Sequence, residues 1–194
     1  MTTHAGSKIF LSLILTSLNA RSLLNKKNEL EIKISEHNSD ICCITETWTT
    51  PETFSESEFS LGNKFKVFAS YRQGKSKGGG TFVMVKENIP CKQIVTKSVN
   101  NHEIAAVDVY LSLPIRIFCI YRPPSGDKNT FNEILNELDI LTTDRTIIVG
   151  DFNLPHYDWV NHNTKNQMED IFITIYVNSH LFNMLLSLHG KIHY

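Results

Sequence analysis

The sequence predicts a single α/β domain built on mixed sheets. Three observations predict it. A strand–helix–strand pattern opens the chain, several closely spaced strands follow, and a β-branched run near the C-terminal third ends in Gly150-Asp-Phe-Asn153. The 194 residues, 41% of them hydrophobic, suit one domain with a sizeable core. No repeat, linker or low-complexity segment divides residues 1–194, so one domain is expected throughout.

Leu11 to Leu18 reads as the first strand and ends at Asn19, close to Arg21. Asn25 can cap a helix running to about His37, with Leu30 and Ile34 on its inner face. Ile41 to Ile44 is a short buried strand that runs out at Thr45-Glu46-Thr47-Trp48. If these strands are parallel, Asn19 and Glu46 share one rim. Pro51 to Gly62 reads as a loop. Phe65 to Ala69 and Thr81 to Val85 read as strands, joined through Arg72, Lys75, Lys77 and a triple-glycine turn. Ala105 to Leu111 alternates, with Ala105, Val107 and Val109 inward and Asp108 outward, and Ile115 to Tyr121 follows. Their close spacing predicts antiparallel pairing. Thr130 and Glu133 have the spacing of a capping box, and Phe131, Ile134, Leu135 and Leu138 form a helical stripe behind it. That helix leads to the Thr146–Gly150 strand. Ile171, Phe172 and Ile175 suggest a last helix.

With 19 basic and 20 acidic residues the net charge is −1, so no long-range field draws this chain to a polyanion. Nucleic acid would have to be held by local patches. The four cysteines show no Cys-x-x-Cys spacing, which points away from zinc and from a disulfide framework and towards buried thiols. The apolar run Ile9 to Leu15 has a poor cleavage signal and continues into a strand, and no stretch is long enough to span a membrane.

The chemistry gathers at strand ends. A period of two places Asp151 and Asn153 on one side and Phe152 on the other. Open α/β sheets hold ligands beyond the carboxyl ends of their strands. Gly-Asp-x-Asn is also ordinary turn chemistry, because Asp and Asn bond nearby backbone groups. Together on one rim, however, Asn19, Glu46, Tyr121, Asp151 and Asn153 would suit a divalent-metal phosphoryl-transfer site. Mg²⁺ takes oxygen ligands and commonly only one or two carboxylates, a role for Glu46. Asn153, Asn19 and Tyr121 carry donors for phosphate oxygens, and Asp151 can orient or deprotonate an attacking water. Arg21, Arg122, Lys75 and Lys77 are candidate phosphate contacts, with a solvated surface as the alternative for the lysines. His156, Trp48 and Trp159 read better as loop and packing residues than as a second metal ligand or base-stacking platforms.

These residues carry a resemblance. Gly150-Asp-Phe-Asn153 and a Glu closing an early strand are similar to the endonuclease/exonuclease/phosphatase superfamily, whose members include DNase I-like nucleases. Leu18-Asn-Ala-Arg-Ser-Leu-Leu-Asn-Lys26, Ser39-Asp-Ile-Cys-Cys-Ile-Thr-Glu-Thr-Trp48, Gly78-Gly-Gly80, Tyr121-Arg-Pro-Pro124 and Gly150-Asp-Phe-Asn-Leu-Pro-His-Tyr-Asp-Trp159 resemble the endonuclease domain of non-LTR (LINE-type) retrotransposons. The resemblance implies a four-layer α/β/β/α sandwich and Mg²⁺-dependent phosphodiester cleavage, with Mn²⁺ as a substitute. It assigns Asn19 and Glu46 to the metal shell and Tyr121 to the phosphate. Asp151 and Asn153 fall to the nucleophile and the transition state. It implies DNA as partner, a nuclear place of action although no targeting signal is visible, and a reverse transcriptase on the same polypeptide of a full-length element. The family pattern closes in a Ser-Asp-His motif, with a further Asp upstream, and neither is found here. The resemblance therefore implies a domain short of its last strands, with catalysis reduced by the ~10²–10⁴ that general acid–base help supplies. Two other readings stand beside it: a repair nuclease or small-molecule phosphoesterase of the same superfamily, and a non-catalytic nucleic-acid-binding remnant.

Overall fold

The computed structural model describes residues 13–53, 55–73, 78–125, 128–158, 161, 163–166 and 169–170. The expected last helix lies outside the described residues, as do Lys75, Lys77 and Trp159.

The elements run β1 (Leu15–Asn19), α1 (Lys27–Glu36), β2 (Ile41–Thr45), α2 (Glu56–Phe59), β3 (Phe65–Ser70), β4 (Thr81–Lys86), β5 (Cys91–Val99), β6 (His102–Tyr110), β7 (Pro114–Tyr121), α3 (Lys128–Leu141) and β8 (Thr146–Asp151). A short antiparallel pair, β9 (Tyr157–Asp158) and β10 (Asn163–Thr164), follows. Two four-stranded mixed sheets result, ordered β1-β2-β4-β3 and β5-β6-β7-β8. Each joins one parallel pair, β1–β2 or β7–β8, to antiparallel neighbours.

Strand periodicity sorts the side chains into layers. Ile41, Cys43, Val83 and Val85 of the first sheet meet Ala105, Val107, Val109, Ile117, Cys119 and Val149 of the second in a core between the sheets. The alternate residues Cys42, Ile44, Phe82 and Met84 pack outward with Leu30 and Ile34 of α1 and Phe59 of α2. On the far side Ile104, Ala106, Phe118, Ile120 and Ile148 pack under Phe131, Ile134 and Leu138 of α3. Helix, sheet, sheet, helix is the four-layer sandwich that the resemblance implies. Because both faces of each central strand are covered, β2 and β4 read as continuous apolar runs rather than alternating ones.

Several local expectations change. Lys26, not Asn25, occupies the N-cap of α1, and it makes no side-chain capping bond. Its Nζ instead donates to the carbonyls of Ala20 and Arg21, 3.1 and 3.2 Å away, fastening the loop beyond β1. Helix α3 begins at Lys128, ahead of Thr130, and Glu133 accepts a hydrogen bond from Asn100 across the β5–β6 turn rather than closing a capping box. A four-residue helix interrupts the Pro51–Gly62 loop. The alternation rule does not pick out β5, because a register shift between Gln93 and Val95 breaks its period of two. Cys42, Cys43 and Cys119 are buried free thiols and Cys91 is half-buried. Among the described residues, no helix is long and apolar enough to cross a membrane.

Candidate active site

The faces that build the inter-sheet core run on, at one end of the sandwich, into polar residues. Cys119 is followed two residues later by Tyr121, and Val149 by Asp151, so both project from the second sheet towards the first. In the parallel ladder Tyr121 pairs with Asp151. On the opposite sheet Asn19 ends β1, in register with Thr45 of β2, and Glu46 follows directly. Asn19 and Glu46 therefore share a rim, as parallel strands require.

The two sheets meet across this rim. The Asn19 amide donates to Asp151 Oδ2 at 2.8 Å, a bond between residues 132 positions apart. The Asn19 Oδ1 accepts the Arg21 backbone N–H at 3.1 Å. Tyr121, only 3% exposed, carries its hydroxyl beside both Glu46 and Asp151. Burial first, and then the Glu46 carboxylate, push this hydroxyl above its ordinary value of 10.0, so it remains a protonated donor throughout the neutral range. Five sequence-predicted residues were expected on one rim. Asn19, Glu46, Tyr121 and Asp151 are brought together there.

Asn153 sits at the start of the next loop with φ +46, a left-handed conformation that asparagine tolerates. Its backbone N–H caps Asp151 Oδ1 at 3.2 Å, and its side-chain amide donates to the Arg122 carbonyl at 2.6 Å. Arg122 returns the contact: Nη1 donates to the carbonyls of Phe152 and Asn153 at 3.2 and 2.9 Å, and its guanidinium stacks 5.0 Å from the Phe131 ring. Those bonds fasten the Asp151–Asn153 turn. Arg21 is exposed beside Asn19.

Glu46 is held differently. It lies past the end of β2 with φ +53, and Trp48 has φ +57, both unusual for residues with a side chain. Strain of order 1–3 kcal/mol per such residue persists only where neighbours enforce it. Here the amides of Ala20, Ser22 and Leu23 donate to the carbonyls of Thr45, Glu46 and Thr47 at 2.9, 2.8 and 2.9 Å. From the other side Thr47 and Trp48 donate to the carbonyls of Gly80 and Gly79 at 3.3 and 3.0 Å. The Trp48 indole N–H reaches Glu46 Oε2 at 3.4 Å. The glycines are required by this clamp: a Cβ on Gly80 would lie 2.3 Å from Thr47 Oγ1. The Gly78–Gly80 run thus seats the Glu46 turn, a role that sequence reading does not assign to it.

Among the described residues, no group of three or more His, Cys, Asp or Glu side chains could hold a metal. Glu46 and the Asn19 amide oxygen are oxygen donors of the kind that a hard cation takes, one or two from the protein with water and substrate completing its shell.

Comparison with known proteins agrees with this architecture. The chain is 26% identical over 144 residues to the RNA-directed DNA polymerase from mobile element jockey of Drosophila melanogaster, an alignment covering 74% of this chain and 15% of that protein. Its structure is similar to the endonuclease domain of TRAS1, a telomere-specific non-LTR retrotransposon, with a TM-score of 0.59, 18% identity, and coverage of 82% of this chain and 70% of that one. A mannosyl-6-phosphatase of Bacteroides thetaiotaomicron superposes with a TM-score of 0.61 and 14% identity over 86% of this chain and 72% of that one. Likeness at these low identities speaks for the fold. The family model described as Endonuclease/Exonuclease/phosphatase family matches residues 16–188, and with the four-layer sandwich and its polar rim this shows that the chain belongs to that family.

Proposed function

We propose that this chain is a Mg²⁺-dependent endonuclease domain of the non-LTR retrotransposon type, one that nicks a DNA strand. The observation that carries the reading is convergence: Asn19 and Glu46 from one sheet meet Tyr121 and Asp151 from the other at a single rim, with the 2.8 Å Asn19–Asp151 bond across it. The retrotransposon relatives supply the substrate class. Because the jockey protein is far longer than this chain, its polymerase activity is not carried over, and a reverse transcriptase is expected as a partner in a full-length element.

Mg²⁺, or Mn²⁺ in its place, would be held by Glu46 and Asn19 and would supply charge neutralisation on the phosphate and leaving oxygen. The remaining chemistry belongs to the chain. Asp151 faces the inter-sheet gap and accepts the proton of an attacking water, held in aim by the Asn19 amide and the Asn153 backbone N–H. The water oxygen bonds to phosphorus, the bond from phosphorus to the 3′ oxygen breaks with its electron pair leaving on that oxygen, and the oxygen takes a proton from solvent water to become the 3′-hydroxyl. Tyr121, kept protonated, donates to a phosphate oxygen as charge grows there. The Asn153 amide stands at the same turn as a donor for the transition state, Arg21 offers an exposed cation to the DNA backbone, and Lys75 and Lys77 flank the glycine run in sequence with the same charge. Arg122, whose fork holds carbonyls, meets the phosphate only through the turn it fixes.

The test is supercoiled plasmid incubated with Mg²⁺ and the full chain, beside Glu46→Ala and Asp151→Ala. Nicking that disappears with a chelator and falls by at least ~10³-fold in both variants is the expected result. Equal background in all three proteins would leave a non-catalytic remnant. Cleavage of small phosphate esters with DNA untouched would transfer the site to the phosphoesterase branch of the family.

A further inference from the structure

Behind the rim lies a second charged group that the proposed chemistry does not use. Glu103 belongs to β6, on the same face as Ala105, Val107 and Val109, and is the cross-strand partner of Tyr121. Its side chain is 0% exposed. A carboxylate taken wholly out of water is costly unless its oxygens are met, and here they are. The Gly80 N–H donates to Oε2 at 3.1 Å, the Ser98 hydroxyl donates to Oε1 at 3.3 Å, and Arg72 Nε stands 3.4 Å from Oε1. Arg72 donates to the Asn101 carbonyl at 3.1 Å and lies 5.6 Å from the centroid of the Tyr121 ring.

The Gly80 contact joins the two sheets, which share no strand ladder. Ser98 and Asn101 belong to the β5–β6 hairpin of the second sheet. Gly80 opens the path into β4 of the first, and Gly79 and Gly80 supply the carbonyls that hold Trp48 and Thr47. The packing admits nothing larger, since a Cβ on Gly79 would lie 2.7 Å from Arg72 Nε and 2.9 Å from Glu103 Oε2. One buried carboxylate thus touches, through one intermediate each, the turn carrying Glu46 and the ring carrying the Tyr121 hydroxyl.

We infer that Glu103 and Arg72 form a positioning pair that sets the Glu46 turn and Tyr121 against each other across the two sheets. The pair touches no substrate; it acts through Gly80 on one side and the Tyr121 ring on the other. This rests on the reading of the rim as a nuclease site, but its mechanical part does not. Misplacing a reacting group by an ångström is enough to cost ~10²-fold in rate.

The experiment uses the full chain, Glu103→Gln and Arg72→Lys, with thermal melts to establish that each variant is folded. Two readouts are taken: Mg²⁺-dependent plasmid nicking resolved into kcat and KM, and hydrogen exchange of the Thr47 and Trp48 amides. The expected result is a fall in kcat of at least ~10-fold with KM for DNA unchanged, together with at least ~10-fold faster exchange at Thr47 and Trp48 and unchanged exchange in β2. Folded variants with parental exchange at Thr47 and Trp48 overturn the inference, whatever their activity. Faster exchange with parental kcat also overturns it, since the pair would then be structural only. If the parent does not nick DNA, the reading under Proposed function falls, while the exchange measurement still decides whether the pair holds the turn.

Discussion

The two carboxylates at the rim arrive by different routes. Asp151 is the last residue of β8, in ladder register with Tyr121, and continues the face begun by Val149. Strand geometry brings it to the gap, where the Asn19 amide and the Asn153 N–H hold its oxygens. Glu46 has left β2, turns through a left-handed conformation, and depends on backbone groups from residues 20–23 and 79–80. One half of the site is therefore set by local periodicity and the other by a tertiary clamp. A ladder is an inexpensive positioning device, because its hydrogen bonds form anyway. A strained turn lasts only while distant segments enforce it.

The largest effect is expected where the ladder itself is tightest. A Cβ on Gly150, φ +144, would stand 1.9 Å from the backbone oxygen of Ile120, which has no side-chain freedom to yield. Gly150→Ala should cost upwards of ~4 kcal/mol and abolish a cooperative denaturant transition. A parental transition would show that the Asp151 half does not need this close approach.

Next comes the pH dependence of the clamp. Burial raises the Glu103 carboxyl from 4.5 to about 7, against the bonds from Gly80 and Arg72 that favour its charged form. With the folded value above the unfolded one, the stabilising contribution of the protonated group is complete below about 4.5 and is lost as pH rises through about 7. Relative to the parent, Glu103→Gln should gain stability on the order of 3 kcal/mol between those limits. Denaturant melts of both proteins across this range check it, and a flat difference would mean that the clamp carries no such cost.

Asn19→Ala removes the bond joining the halves. Nicking should fall ~10- to 100-fold with little change in melting temperature, as positioning losses do. An equal fall in both would make the bond a fold contact first. The smallest change is expected at Arg21, exposed and outside both devices. Arg21→Ala should raise KM for DNA about threefold and reduce the salt slope by about one unit, measured by nicking across ionic strengths.

The same contrast explains what could be read in advance. Asp151, Tyr121 and the strands behind them follow from period-two runs ending in polar residues; Asn153 does not, because β8 ends at Asp151 and Asn153 turns left-handed towards the Arg122 carbonyl. The parallel β1–β2 pair follows from the intervening helix, as does the shared rim of Asn19 and Glu46. Strand β5 did not follow, because its bulge breaks alternation. The N-cap of α1 did not either: Asn25 has the right chemistry, but the loop beyond β1 recruits Lys26. Arg72 stands in the sequence only as part of a glycine-rich connection, yet it folds back onto Glu103.

By itself, the sequence determined most of the elements, the class of fold and which polar groups stand at strand ends, since those depend on spacings of two to four residues. Only the tertiary structure decided that Asn19 bonds Asp151 across 132 positions, that Gly79 and Gly80 carry the Glu46 turn, and that Glu103 lies sealed behind Tyr121. Those facts depend on how two separately formed sheets pack face to face, and that packing is fixed by volume and by the pairing of buried polar groups, neither of which leaves a period in the chain.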